Sequence, residues 1–468
     1  MQQMSGLDAA FLYLETPTTH MHVVGVVLLD PSEVPGRFGI DVISRAIEER
    51  LHLIPPFRRR VLAPPAGIDH PLWIEDPGFD LRAHVRAAPL PRPVTWADLE
   101  AFTGQVASIP LDRNRPLWEM WVVEGMADGA VALVTKLHHA IMDGAAGGEL
   151  MTSLFDLTPD VEPVTPPSEP WEPDRPPSAP ALVGGAMRSL AIRQKEVPAS
   201  LARTARGLAD SARTWASQRA SGSGMSLVAP RTLLNGATSA ARSVSLVTVG
   251  LDEVKTIRRA FGTTVNDVVL AAAGTTLRRY LEARGPLPEQ PLVAAVPVNA
   301  RAPGAGGELG NQVSSMMVSL ALSPDDPVER LRRVHDSARS AKDLQSAFGT
   351  ESLRQLTALA APPLMVAGAR LYSGLRLARF HRPLFNVIVS NVPGPPIDLY
   401  CAGARVDAIF PMGPVMEGSG LNITVLSEAD HLDVGVMACS DLVDSVEEIG
   451  NGFVDAVVEL RAAAGRVS

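Results

Sequence analysis

The stretch VALVTKLHHAIMDGAAGGEL places two adjacent histidines, His138 and His139, after an apolar run, with Asp143 and Gly144 a few residues beyond. A neutral imidazole titrates near pH ~6.5, which suits it to accept a proton from an attacking hydroxyl or thiol at working pH. A general base must be held in one orientation, within hydrogen-bond reach of its nucleophile. A strand end followed by a glycine-bearing turn supplies that rigid exposure. Asp143 falls beyond the turn, where it can bond a histidine directly or fix the loop through an arginine. Gly144 permits a sharp turn or a close approach by substrate.

Competing chemistries fit this pattern less well. Adjacent strand residues point to opposite faces, so one ion could bind both imidazoles only if the backbone bent. No HExxH motif supplies further ligands, and no catalytic metal is expected. No GxSxG elbow marks a serine hydrolase. A metal-dependent hydrolase stays open as an alternative, as does a purely structural histidine pair.

The elements that must position these residues are legible along the chain. With 468 residues, 46% of them hydrophobic, the chain can form two domains with real cores. Residues 1–157 read as a first mixed α/β unit. HVVGVVLLD (His22 to Asp30) is a near-continuous apolar run and predicts a buried strand. IDVISRAIEERLHLI repeats Ile40, Ile43, Ile47 and Leu51 at helical spacing. EMWVVEGM and VALVTKL, separated by ADGA, predict a hairpin that ends at the histidines. Residues 158–230 form a linker or crossover. It is proline-rich up to about Pro180 and then basic, with seven Arg or Lys against Glu196 and Asp210 over 183–225. Residues 231–468 return to mixed α/β. Here TTVNDVVLAAAGTTLRRYLEARG predicts a helix capped by Thr263 or Thr264. Strands are expected in PLVAAVPVNA, NQVSSMMVSLAL and LFNVIVSNVPGPP. LNITVLS and LDVGVMA predict a second hairpin around EADH, and SVEEIGNGFVDAVVELRAAAG a closing helix.

Bulk properties exclude several classes. The net charge of −9 argues against a nucleic-acid partner. Cys401 and Cys439, the two cysteines, have no ligand spacing and build no disulfide framework, which fits a reducing cytoplasm. The start, MQQMSGLDAAFLYLETP, lacks a basic segment followed by an apolar one, so no secretory leader is expected. No uncharged apolar run reaches the roughly 18 residues of a membrane span.

A family resemblance sharpens this reading. HHAIMDG is HHxxxDG, the signature of acyltransferases with the chloramphenicol-acetyltransferase-like fold, shared by peptide-synthetase condensation domains. RPLWEMW (Arg115 to Trp121), with Pro116, Leu117 and Trp118, resembles the PLW motif of bacterial wax ester synthase/diacylglycerol acyltransferases. VNDVVLA, with Asn266 and Asp267, resembles that family's Asn-Asp motif, and SNVPGP (Ser390 to Pro395) its late turn motif. LDAAFLYLETPTTHMHV and GLNITVLS look similar too, so the resemblance spans nearly the whole chain in the family's order.

The resemblance implies an α/β fold of two CoA-dependent acyltransferase subdomains with an active-site tunnel between them. It implies O-acylation of diacylglycerol, or of a long-chain alcohol, by acyl-CoA, which is a substrate, with no cofactor required. Another lipid alcohol, such as a polyketide-type diol, and a non-catalytic lipid-binding relative are the alternatives. In the implied reaction His139 takes the hydroxyl proton while His138 supports it. Asp143 pairs with an arginine, for which Arg301 in PVNARAP is the candidate, unless Arg301 is a plain surface residue. Gly144, Asn266 and Asp267 bear on the bound acyl-CoA. Asn266 is either the oxyanion donor or part of a helix cap. Pro116, Leu117 and Trp118 line the channel or pack the core, and SNVPGP shapes an interface or ends a strand.

Such apolar substrates imply contact with a membrane surface or a lipid droplet. PPLMVAGARLYSGLRLARFHRP (Pro362 to Pro383) carries Arg370, Arg376, Arg379 and Arg382 among apolar residues, as a basic interfacial helix does. The basic 183–225 segment is a second candidate. A cytoplasmic protein partly bound to the inner membrane face or to droplets is therefore expected.

Overall fold

The computed structural model describes residues 1–141, 153–161, 163–189, 229–299, 313–348 and 362–466. Its strands form three sheets. A small one joins β1 (Gln2–Gln3), β4 (Leu72–Glu75) and β3 (Arg59–Leu62). A six-stranded sheet runs β12 (Tyr400–Cys401), β13 (Ala404–Met412), β2 (His22–Asp30), β7 (Val131–His138), β6 (Trp118–Val123) and β5 (Val85–Ala87). A second six-stranded sheet runs β10 (Val313–Leu320), β9 (Leu292–Asn299), β11 (Val387–Pro393), β14 (Leu421–Glu428), β15 (His431–Cys439) and β8 (Arg242–Gly250). The fold is thus two-domain mixed α/β. The sheets do not divide at 157 and 231, because β12 and β13, from late in the chain, complete the first sheet.

Side-chain alternation explains why β2 reads as continuously apolar. Val24 and Val26 pack into a core cluster shared with Val244, Leu246 and Met437 of the second sheet. Val27 and Leu29 point the other way, into a cluster with Ile43, Ile47, Leu133 and Leu137. Both faces are covered, so no polar face is needed. The same alternation in β7 splits Ala132 and Val134 from Leu133 and Leu137. At Gly435 a side chain is excluded outright, since a Cβ there would overlap the Pro411 carbonyl oxygen. Strands β15 and β13 can therefore approach across the junction between the sheets.

Helices Leu251–Phe261, Val265–Glu282, Pro327–Phe348 and Val446–Ala464 cover the second sheet. Ile257, Leu270, Ile449 and Leu460 meet Ile423 and Val434 in its core. The helix expected over 40–54 stops at Arg50 and continues as single 3-10 turns. Pro55 is the reason, because the residue before a proline is driven out of the α region. The helix expected over Pro362 to Pro383 is also broken. It ends at Gly374, Arg376 turns left-handed at φ 53°, and a short turn follows at Leu377–Arg379.

One buried cation ties β7 to its support. Lys136 is fully buried, and its Nζ donates to the carbonyls of Val106 and Ile109, each at 2.9 Å, and contacts Glu119 Oε1 at 2.5 Å. These carbonyls close the C-terminal end of helix Trp96–Ser108, where positive charge is favoured. Lys136→Ala would leave the Ile109 carbonyl without its ammonium donor, the Val106 carbonyl with only the Ile109 N–H at 3.4 Å, and Glu119 with only its longer contact to Arg86. We expect a loss of about 3–5 kcal/mol in denaturant unfolding. A loss below about 1 kcal/mol would show the ammonium is dispensable.

Candidate active site

The two histidines are held by the backbone before any side chain acts. The His138 N–H donates to the Leu117 carbonyl at 2.9 Å, and the His139 N–H to the Met21 carbonyl at 2.7 Å. His138 ends β7, opposite His22 on β2, and His139 begins a 3-10 turn to Ile141. The two rings differ in exposure. His138 is 1% exposed, whereas His139 is half-buried.

The surroundings of His138 fix its tautomer. Its Nδ1 accepts the Ala140 N–H at 3.0 Å, so the ring proton sits on Nε2. That nitrogen lies 3.6 Å from Glu15 Oε2. Glu15 is gripped in turn by Arg113, whose Nε donates at 3.0 Å and whose Nη2 also donates to the Leu12 carbonyl at 2.8 Å. Burial pushes the Glu15 carboxyl up, but His138 and Arg113 outweigh it and hold the group at about 2. His138 itself is pushed down by burial, with Glu15 opposing.

His139 lies flat against Phe11, with centroids 4.1 Å apart and planes 17° apart. Its pKa is pushed down to about 4, chiefly by burial, with its own backbone carbonyl opposing and His138 adding to the fall. At neutral pH the ring is therefore uncharged. It can accept a proton, and its orientation is set by stacking and by the turn.

Comparison with known proteins gives the family. Residues 4–269 match the wax ester synthase/diacylglycerol acyltransferase catalytic domain, and residues 309–461 the WS/DGAT C-terminal domain. The chain belongs to the wax ester synthase/diacylglycerol acyltransferase family. Two Mycobacterium tuberculosis relatives, provisionally named diacylglycerol O-acyltransferases, are each 36% identical. The alignments cover 98% and 99% of this chain and 90% and 98% of theirs. The wax ester synthase/diacylglycerol acyltransferase of Marinobacter aquaeolei VT8 superposes with a TM-score of 0.70 at 28% identity, over 99% of this chain and all of that one. The starter condensation domain of rhizomide synthetase, solved with C8-CoA and Leu-SNAC, shares the fold at 15% identity. Its TM-score is 0.58, over 99% of this chain and 94% of that domain.

The other motif residues of this family member fall in three places. Pro116, Leu117 and Trp118 are core. The Trp118 ring stacks between Phe57 and His84, and its Nε1 donates to the Phe57 carbonyl at 2.8 Å. The motif touches the site through the Leu117 carbonyl that receives the His138 N–H. Asp267 is the third residue of helix Val265–Glu282, and its Oδ2 accepts the Thr264 N–H and hydroxyl, each at 2.8 Å, with His335 Nδ1 also at 2.8 Å. Thr264 is the cap, as read from the sequence. Asn266 sits beside it in the first turn, half-buried, and makes no side-chain hydrogen bond among the described residues. Asp143, Gly144 and Arg301 lie outside the described residues. SNVPGP ends β11, where a Cβ on Gly394 would overlap the Ser427 carbonyl oxygen.

Sequence patterning does not single out Glu15, Arg113, Phe11, His20 or His22. Burial pushes the His22 pKa well down, and neither ring nitrogen has a hydrogen-bond partner among the described residues. The available clue is LETPTTHMHV itself, which holds a carboxylate and two alternating histidines, but nothing local shows that they meet β7.

The Glu15 carboxyl lies below its ordinary 4.5, so its stabilisation is complete above that value and is lost as pH falls through about 2. Glu15→Gln should cost up to about 3 kcal/mol at pH 7, and that gap should at least halve by pH ~3. Urea unfolding at both pH values checks this. A gap independent of pH would contradict the assignment.

Proposed function

We propose that this chain transfers the acyl group of a long-chain acyl-CoA to the hydroxyl of diacylglycerol, forming triacylglycerol, and takes long-chain alcohols as a second acceptor class, forming wax esters. The observation that carries this is His139, an uncharged, half-buried imidazole at the end of a rigid strand. Its neighbour is locked by Glu15 and Arg113. Family membership and the Mycobacterium relatives' names support the acceptor.

In this reading the acceptor hydroxyl gives its proton to the His139 ring as its oxygen attacks the thioester carbonyl. A carbon–oxygen bond forms, and the tetrahedral intermediate collapses by breaking the carbon–sulfur bond. The thiolate takes the proton back from the imidazolium and leaves as CoA. No acyl-enzyme is needed when both substrates reach one base. Holding both substrates against that base, in a tunnel between the two domains, supplies much of the acceleration. Asn266 is the donor we assign to the oxyanion, near a helix start and with no side-chain hydrogen bond among the described residues. To Asp143, Gly144 and Arg301, which lie outside the described residues, we assign only the supporting roles that the HHxxxDG motif implies, and Asp267 holds the helix that presents Asn266. Acyl-CoA enters as substrate, and the mechanism needs neither cofactor nor metal.

The substrates also call for an interface. Arg370, Arg376, Arg379 and Arg382 are exposed, beside Leu371, Leu375, Leu384 and Phe380, the last 80% exposed. Among the described residues no helix is long and apolar enough to cross a membrane. We assign this patch to peripheral binding of an anionic lipid surface, at the inner membrane face or on droplets.

Two measurements test these readings. Purified chain with palmitoyl-CoA and a panel of alcohols should release thiol only when an acceptor is present, insensitive to chelators. His139→Ala should lose at least about 100-fold. Alcohol-independent, chelator-sensitive release would indicate a hydrolase. No release with any alcohol, polyketide-type diols included, would leave a lipid-binding protein. Separately, the chain should float with phosphatidylglycerol vesicles at low salt and be released at high salt, and changing all four arginines to Gln should abolish flotation. Absence of salt-sensitive binding would remove the interface.

A further inference from the structure

A second cluster of chemical groups lies away from the histidine pair. Glu428 ends β14 and faces His431 across the β14–β15 turn, and Asp433 follows two residues on, on the same face of the sheet. Each offers one ligand atom, and these atoms all lie within 4.8 Å of one another. Asp433 is fully buried. Its Oδ1 accepts from the Thr248 hydroxyl at 2.8 Å, and its Oδ2 accepts the Ile409 N–H of β13 at 2.7 Å. His431 Nδ1 meets Asp430 Oδ1 at 2.8 Å. Burial lowers the His431 pKa, but Asp430, Asp433 and Glu428 outweigh it and raise it, so without a metal ion the ring points a proton from Nε2 toward Asp433, 3.3 Å away, which a bound ion would displace.

Glu428 is the residue that requires explanation. It is 2% exposed, and neither carboxylate oxygen has a hydrogen-bond partner among the described residues. A buried carboxylate with no donor, set beside a second buried carboxylate, is costly unless something positive shares the space. Among the described residues no lysine or arginine pairs with Glu428; Arg405 on β13 pairs with Asp407 at 2.8 Å and with Asp30 at 3.9 Å.

We propose that Glu428, His431 and Asp433 bind a divalent transition-metal ion, Zn²⁺ in preference to Mn²⁺, that ties the two strands of the β14–β15 hairpin together at their turn, beside the Asp433 bond to Ile409 of β13. Two carboxylate oxygens and one imidazole nitrogen form a mixed donor set that suits a borderline ion better than Mg²⁺ or Ca²⁺. The carboxylate behind the imidazole is the outer support that metal-bound histidines use. Its role is structural. Ile409 pairs with Val27 on β2 and His138 with His22, five residues apart, so the cluster sits roughly 16 Å along the strand from the catalytic pair. The proposal does not depend on the acyl-transfer reading.

The test uses the full chain without an affinity tag, stripped with EDTA and dialysed. Calorimetric titration with ZnCl₂ and MnCl₂, with MgCl₂ as control, should show a single saturable Zn²⁺ site, weaker Mn²⁺ binding and no Mg²⁺ binding. Saturating Zn²⁺ should raise the melting temperature, as any ligand of the folded state does. Glu428→Gln and His431→Asn should each abolish both effects, with circular dichroism confirming that the variants fold. Wild-type protein that binds no ion overturns the proposal whatever the variants do. Zn²⁺ binding that persists in both variants assigns the ion to the surface and overturns it equally.

Discussion

Charge is expensive in the interior around β7, and the site is organised by that cost. Four histidines, His20, His22, His138 and His139, lie where β2 and β7 meet, and burial lowers the pKa of every one. An imidazole kept neutral by its surroundings keeps its lone pair free at neutral pH, at the cost of being a weaker base than one in water. The same desolvation would be ruinous for the nearby ions were they not paired. Lys136, on the same face of β7 as His138, is met by two carbonyls and Glu119. Glu15 is met by Arg113 and by the His138 ring. The strand thus delivers two histidines to one end, and Glu15 and Arg113 hold the first of them.

Much of the framework could be read from the sequence because it follows from local periodicity. The β2 run, the β6–β7 hairpin, the β14–β15 hairpin and the Thr264 cap all lie where patterning puts them. Each is decided by neighbours within a few residues. The failures have the same origin. Pro55 stops a helix that apolar spacing would continue, and the helix from Pro362 breaks at Gly374 although its composition does not change.

Long-range pairing is the illegible part. Arg113 reaches Glu15 across 98 residues, and β13 joins β2 although 374 residues separate Ala404 from Asp30. No window of sequence contains both partners. Motifs help where a family pattern stands in for that missing information, as with HHxxxDG. The PLW motif acts as support: its tryptophan stacks in the core, and among the described residues the motif meets the site through the Leu117 carbonyl. The sheets behave likewise. Their common core, where Val24 and Phe410 meet Val244 and Met437, depends on strands drawn from both ends of the chain.

The central claim is that the His139 ring is neutral because it is desolvated, and the most direct test is its own titration. Histidine-labelled protein, with the His139 resonance assigned by its loss in His139→Ala, can be followed by NMR from acid to neutral pH. The expected midpoint is near 4, well below the ordinary 6.5, with the ring uncharged throughout the neutral range. A midpoint at or above 6.5 would mean that the ring is solvated or ion-paired, and that desolvation is not what keeps it a free base.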